Sequence, residues 1–262
     1  IMSAVKWKST KASTDFVFNE ENFRKPALPA GLNILDVPLV MATPETLQGF
    51  GKLISSEGEL TTEKNNFEIK PWPVQGWRKL DPNTGDEAGT TEGEFLVHWE
   101  GDYFYGKNLA VNTTNNVYLD GLGAIPEMAS REDGTGQNKF IYLWMSDYHP
   151  DGGQLFFPLK PGPFVVCLGP ASCGDDIQPT DMKAFFVPQG KGVYFHPSTW
   201  HNGVYVLREH APATFLTRQG RVHARVSCSW ANEFQTLLRV PLHLPQGAQS
   251  TVVHTHREND AT

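Results

Sequence analysis

Residues 146–159 read SDYHPDGGQLFFPL, and residues 192–201 read GVYFHPSTWH. In both stretches, short apolar and aromatic runs are interrupted by Gly and Pro, which is typical of short β-strands joined by tight turns. Asp147 and His149 lie two positions apart, so an extended chain directs both side chains to one face. A hairpin turning at 151–153 brings Gln154 back beside His149. These patterns predict a polar site built on paired strands.

Similar short strand patterns recur along most of the chain. The sequence predicts a hairpin over 94–111 that turns at Gly101. Thr43, followed by Pro44 and Glu45, predicts a helix that ends at Gly51. The further predicted strands cover residues 33–40, 117–122, 139–146, 153–159, 164–168, 182–187, 192–195, 203–207, 214–217 and 223–230. Short strands at this spacing predict a mainly β fold, either an antiparallel sandwich or a small barrel.

The composition of the chain argues against several classes of function. The 262 residues carry a formal net charge of -7 and no run of four Lys or Arg, which argues against nucleic-acid binding through a basic face. No apolar stretch approaches the roughly 18 residues of a membrane span. Residues 1–15 are polar and show no signal-peptide pattern. The odd set of three cysteines is typical of a reduced compartment. We therefore expect a cytoplasmic protein with no membrane or nucleic-acid partner.

Polar residues beside aromatic ones mark the candidate site. Dinucleotide-binding, P-loop and G-x-S-x-G motifs are absent. His149 and His201 are the candidate acid/base groups because an imidazole titrates near neutrality, and Asp147 is their candidate partner. A single histidine beside apolar residues is more often structural than catalytic. Several polar groups in two strand-turn contexts favour a pocket instead.

Two motifs resemble a known family. Asp147-x-His149-x4-Gln154 has the form of the first cupin motif, and Pro197-x3-His201 resembles the second. The stretch 144–201 resembles the ureidoglycolate lyase family, cupin-superfamily enzymes of purine breakdown in the allantoin degradation route. The matching segments are 44–54, 147–150, 154–159, 183–185 and 192–201. Asp147 stands where the family usually has Glu.

The resemblance implies a fold, an activity and an assembly. It implies a cupin-like antiparallel β-barrel or jelly roll with a few short helices, in a homodimer. It also implies a carbon–nitrogen lyase that splits ureidoglycolate, or a related small hydroxy-acid amide, to glyoxylate and urea by general acid/base catalysis. A metal-dependent cupin oxygenase or isomerase and a non-catalytic cupin that binds a small acid or sugar are the alternatives.

The chain is longer than the family usually is, which leads to a division into segments. We predict an N-terminal arm over 1–30, one cupin-like domain over 31–240 and a mobile tail over 241–262. Residues 56–125 contain an insert that is atypical of the family. His98, Glu100 and Asp102 share one face of the hairpin there, which is either a surface hairpin or a pocket-lining strand.

The resemblance also assigns roles to individual residues. The expected catalytic residues are His149, His201 and Asp147. The expected substrate-binding residues are Gln154, His196, Lys183, Trp200, Tyr194 and Lys107, with Arg218 as a further candidate cation. If a divalent metal such as Ni, Zn, Mn or Fe is bound, the expected ligands are Asp147, His149, Gln154 and His201; a metal-free site is the other possibility.

Overall fold

The described part of the protein is mainly β. The computed structural model describes residues 28–70, 76–80, 89–110, 117–124, 139–221, 224–243 and 245. Large antiparallel sheets dominate these residues and stay open in a jelly-roll-like arrangement, which confirms the predicted fold class. Most of the predicted arm and tail lies outside the described residues. No described helix has the length and apolar character needed to cross a membrane.

The described residues form sixteen strands and two α-helices. In chain order these are β1 (Asn33–Asp36), β2 (Leu39–Met41), β3 (Gly51–Ile54), α1 (Glu57–Asn65), β4 (Thr90–Glu100), β5 (Tyr103–Asn108), β6 (Val117–Leu122), β7 (Phe140–Leu143), β8 (Ser146–Tyr148), β9 (Gln154–Pro158), β10 (Phe164–Leu168), β11 (Lys183–Val187), β12 (Gly192–Phe195), β13 (Val204–Tyr205), β14 (Ala213–Gly220), β15 (Val226–Cys228), α2 (Trp230–Phe234) and β16 (Thr236–Pro241). Three short 3₁₀ turns cover Ala171–Asp176, Pro179–Asp181 and Arg208–His210.

Three sheets organise these strands. Ten strands form one sheet in the order β1-β16-β7-β6-β5-β4-β14-β9-β12-β3. Four strands form a second sheet in the order β13-β10-β11-β2, and β15 pairs with β8. The predicted strand over 33–40 is divided at Pro38, because Pro cannot donate a ladder hydrogen bond. β1 therefore joins the edge of the first sheet and β2 joins the second.

The main core lies between the ten-stranded and four-stranded sheets. Phe215 of β14 and Phe164 of β10 bring the two sheets together with ring centroids 5.0 Å apart. Phe95 and Phe156 extend this layer at 5.2 Å. All four rings are buried. We call this side of the ten-stranded sheet the inner face. Each fully buried ring of this size contributes about 1.5–3 kcal/mol.

The hairpin prediction is confirmed and the first helix prediction is wrong. β4 and β5 pair with Val97 opposite Gly106, and Gly101 turns the chain at φ 54°. Residues 44–50 form turns, although Thr43 Oγ1 accepts from the N–H of Thr46 as a helix cap would. Gly49 has φ 86°, outside the right-handed helical region, so regular helical backbone ends there, and β3 pairs with β12 from Gly51 onward. The helix in this region is α1, whose side chains are not buried.

Candidate functional site

The two sequence stretches that suggested a site meet in the structure. Asp147 and His201 face each other in an antiparallel bridge, where each backbone N–H donates to the other residue's carbonyl oxygen at 2.8 and 2.7 Å. Directly opposed residues of such a pair project to the same side. His149 lies two positions after Asp147 and shares that side. The rings of His149 and His201 are 5.0 Å apart between centroids.

The hydrogen bonds of His149 define its tautomer. Its Nδ1 lies 2.8 Å from the carbonyl oxygen of Ala224, which can only accept, so Nδ1 carries the proton in the neutral ring. Nε2 is then the nitrogen with the lone pair. The side chain is only 6% exposed, so this lone pair lies inside the protein. The arrangement suits a base that takes a proton from a small buried molecule.

A row of three side-chain amides crosses the inner face from β5 to β9. Asn108 Nδ2 donates to Gln219 Oε1 at 2.8 Å, and Gln154 Nε2 donates to the same oxygen at 3.2 Å. The backbone N–H of Ala110 donates to Asn108 Oδ1 at 3.0 Å, which orients the first amide. Because Gln219 Oε1 accepts from both Asn108 and Gln154, the orientation of the Asn108 amide also sets that of the other two amides. The row therefore presents Gln154 Oε1 to His201.

Both ring nitrogens of His201 face oxygen atoms of the protein. Nδ1 lies 2.7 Å from the carbonyl oxygen of Thr199, and Nε2 lies 2.9 Å from Gln154 Oε1. Burial lowers the pKa of His201 to about 4, although the hydrogen bond to Thr199 acts in the opposite direction. The ring is therefore neutral near pH 7. A neutral imidazole has one N–H and both facing oxygens can only accept, so one of the two contacts is a hydrogen bond. With Nδ1–H donating to Thr199, the His201 ring is held in place against the amide of Gln154.

Asp147 belongs to a charged group next to the histidines. Arg225, which precedes β15, places its Nε 3.6 Å from Asp147 Oδ2, and both side chains are mostly buried. A second carboxyl group, that of Asp120 on β6, interacts electrostatically with both. Sequence reasoning missed Asp120 and Arg225. A lone Asp within the apolar run VYLDGL is the signal that could have identified Asp120.

Other predicted site residues lie elsewhere. Tyr194 alternates with Phe195, which neighbours Gln154 and lies 5.0 Å from the His201 ring, so Tyr194 occupies the opposite face of β12. There it packs with Ile54 and Leu155, and the His196 ring lies 5.6 Å away. Both predicted side chains are thus on the far side of the sheet from the histidine pair.

The remaining predicted residues are also separated from this group. Lys107 alternates with Asn108 on β5, so it occupies the opposite face of that strand. The Lys183 ammonium of β11 lies 5.8 Å from the ring centroid of Phe50. Trp200 donates to the carbonyl oxygen of Gly174 and packs on Tyr148, away from His201. Arg218, on the face opposite Gln219, bonds to Glu92 and Thr90.

The proposed metal ligands are not arranged as a ligand set. Gln154 Oε1 is turned to His201 Nε2, both nitrogens of His201 contact protein oxygens, and Asp147 faces Arg225. Within the described ranges, no three His, Cys, Asp or Glu side chains are grouped to hold a metal ion. This donor set therefore does not fit the expected four-ligand site.

Comparison with known proteins finds similarity to ureidoglycolate lyases over part of the chain. The family model of ureidoglycolate lyase matches residues 116–233. Ureidoglycolate lyase from Pseudomonas paraeruginosa (strain DSM 24068 / PA7) is 27% identical over 150 residues, covering 54% of this chain and 83% of the relative. Ureidoglycolate lyase from Chelativorans sp. (strain BNC1) is 33% identical over 80 residues, covering 30% of this chain and 47% of the relative.

The similarity covers the site and only part of the chain. Residues 116–233 carry Asp120, Asp147, the histidine pair and Arg225, whereas Asn108 lies before the matched span. The chain is therefore similar to ureidoglycolate lyases over the region that brings these side chains together. Most of the expected insert over 56–125 precedes the match, yet its strands β4 and β5 are central in the ten-stranded sheet. That these residues are an insert relative to the family stays a prediction.

Proposed function

We propose that this protein is a carbon–nitrogen lyase that splits ureidoglycolate, or a closely related hydroxy-acid amide, into glyoxylate and urea. The buried His149–His201 pair, lying within the span that matches the ureidoglycolate lyase model, is the observation that carries this proposal. Assignment to the cupin superfamily is part of the same proposal. The jelly-roll-like sheets are compatible with it.

His149 is the proposed acid/base group. Its Nε2 takes the proton of the substrate hydroxyl group while the carbon–nitrogen bond breaks and the carbon–oxygen bond becomes an aldehyde carbonyl. The bonding electrons go to the urea nitrogen, and the proton held by His149 is then delivered to that nitrogen. The proton taken from the hydroxyl group is the one given to the urea nitrogen, so the step consumes neither water nor an oxidant. A positioned acid/base group contributes typically 10²–10⁴-fold to such a step.

The neighbouring groups hold the reactants in place. His201 is a positioning residue because its nitrogens contact Thr199 and Gln154. Arg225 supplies positive charge for the substrate carboxylate, and Asp147 orients that guanidinium. In this proposal Asp147 acts through Arg225.

Product analysis of the purified protein tests the reaction. We expect equimolar urea and glyoxylate from ureidoglycolate, with and without a chelator. Replacing His149 by Ala should lower kcat by about 10²–10⁴-fold. His210→Ala, in an exposed 3₁₀ turn, is the matched control and should leave kcat unchanged.

Three results would overturn the proposal. Release of ammonia in place of urea would identify an amidohydrolase. Full activity of the His149→Ala protein would remove the histidine pair from the chemistry. Turnover that requires stoichiometric Fe or Mn and consumes dioxygen would instead favour the cupin oxygenase.

A further inference from the structure

Asp120 has a buried carboxyl oxygen without a hydrogen-bond partner among the described residues. The residue is 6% exposed on β6, at a β-bulge where Tyr105 pairs with Leu119 and Phe104 pairs with Gly121. That carboxyl oxygen is Oδ2. Buried polar atoms are normally paired, so an unpaired one requires an explanation such as a bound ligand, an ordered water or a catalytic role. The bulge leaves this residue outside the regular pairing of the two strands.

Two glycines make room for this carboxyl group. A Cβ on Gly203 would lie 2.7 Å from Asp120 Oδ2, and a Cβ on Gly106 would lie 2.5 Å from it. Any side chain at either position would therefore crowd the carboxyl group. Asp120 interacts electrostatically with Asp147 and Arg225, so it belongs to the charged group of the site described above.

The surroundings of Asp120 favour its uncharged form over the carboxylate. Burial is the main cause that raises the pKa of Asp120 well above its ordinary value, the neighbouring Asp147 raises it further, and Arg225 opposes both. Tyr118 and Tyr205 also interact with this carboxyl group, and the pKa of each hydroxyl is raised mainly by burial. In the uncharged form that these surroundings favour, the group has one O–H donor and one C=O acceptor.

A donor and an acceptor side by side match one chemical group of the proposed substrate. The edge of a ureido group presents an N–H beside a C=O, so a neutral carboxyl group pairs with it through two hydrogen bonds. A carboxylate offers only acceptors and would meet that C=O unfavourably. The hydroxyl and carboxylate groups of ureidoglycolate also include a donor and an acceptor, but in the proposed mechanism they are bound by His149 and Arg225, which leaves the ureido edge for Asp120.

We propose that Asp120 is a specificity-determining residue that binds the ureido group of the substrate through one N–H and the C=O. This inference rests on the proposed function and names the side chain that selects for the urea half of the molecule. Discrimination of this kind is strong because a ligand without the matching edge leaves the buried carboxyl group unpaired.

Equilibrium binding of two small probes tests the assignment. N-carbamoylglycine has the ureido and carboxylate groups but no hydroxyl, so it cannot be split, whereas glycolate lacks the ureido group. Replacing Asp120 by Ala should weaken N-carbamoylglycine binding at least about tenfold, the loss expected for two neutral hydrogen bonds. Asp120→Asn keeps a donor beside an acceptor and should stay within about threefold of the parent. Glycolate affinity should not change in either variant.

A second variant distinguishes a loss of binding from a loss of folding. Gly203→Ala removes no polar atom but places a Cβ against the carboxyl group, so it should also weaken N-carbamoylglycine and spare glycolate. If Asp120→Ala does not fold, Asp120→Asn and Gly203→Ala decide the outcome.

The results separate this inference from the proposed function. Unchanged N-carbamoylglycine affinity in a folded Asp120→Ala protein overturns the role of Asp120, while urea release by the parent protein still supports the lyase. Loss of binding in Asp120→Asn equal to that in Asp120→Ala also overturns it, because a charged carboxylate would then be required. A parent protein that neither binds N-carbamoylglycine nor releases urea overturns both proposals.

Discussion

At the scale of single residues, the protonation of His201 links the site to the stability of the protein. The ring is 3% exposed, and its two nitrogens contact protein oxygens from Thr199 and Gln154. In the unfolded chain the same ring is hydrated and titrates near 6.5. A folded-state pKa of about 4 means that the unfolded chain binds the proton more tightly. Acid therefore favours unfolding through this residue.

We expect the free energy of unfolding to fall as the pH is lowered from about 6.5 to about 4. The contribution of the neutral His201 ring to stability is fully present above pH 6.5. Protonation of the unfolded chain lowers the free energy of unfolding by about 3 kcal/mol between pH 6.5 and pH 4. Chemical denaturation at several pH values measures the effect. The His201→Gln protein should show a shallower pH dependence. His196, whose pKa is lowered by burial and by Lys52, remains in both proteins. Parallel pH curves for the two proteins would contradict this prediction.

At the scale of secondary-structure elements, a buried arginine supports the strand that carries the site. Arg78 is 7% exposed; its Nε donates to the carbonyl oxygen of Asp175 at 2.7 Å, and its guanidinium forms two 2.8 Å bonds with Glu233. The carboxylate of Asp175 accepts in turn from the hydroxyl of Tyr148 at 2.6 Å. Tyr148 lies on β8 between Asp147 and His149. This network therefore packs behind the strand whose other face holds the candidate site.

Replacing Arg78 by Ala should lower the free energy of unfolding by about 3 kcal/mol, because it leaves the Glu233 carboxylate and the carbonyl oxygen of Asp175 without their partner. Thermal or chemical denaturation measures this loss. The Lys52→Ala protein is the matched control, since Lys52 and Glu63 form an exposed ion pair that contributes about 1 kcal/mol at most. Equal losses in the two variants would show that the Arg78 network does not support β8.

At the scale of the whole molecule, the open sheets lead us to expect a homodimer. The ten-stranded sheet ends at β1 and β3, and an edge strand has backbone groups available for pairing with another chain. Two-fold symmetric dimers are the commonest way in which such surfaces are covered. Light scattering should therefore give about twice the chain mass of 29.2 kDa over a range of protein concentrations. A mass of one chain at every concentration would refute this prediction.

The sequence alone was enough to predict the local features of this protein. The mainly β fold and the hairpin that turns at Gly101 follow from period-two alternation and turn-forming residues, which act between neighbours in the chain. The positions of His149, Gln154 and His201 in two strand-turn stretches were visible for the same reason. The cap at Thr43 was recognised too, but residues 44–50 form turns in place of the expected helix, and Gly49 leaves the helical region at φ 86°.

Only the tertiary structure decided which side chains share the site. Asp120, Gln219 and Arg225 come from distant parts of the chain, and their convergence depends on strand order and register. Tyr194 and His196 were expected beside Gln154 but lie on the other face of the sheet. A shift of one residue moves a side chain to the opposite face, and long-range pairing between strands sets that register. Local sequence patterns do not specify which distant strands pair. The side chains that share the inner face could therefore be identified only from the folded chain.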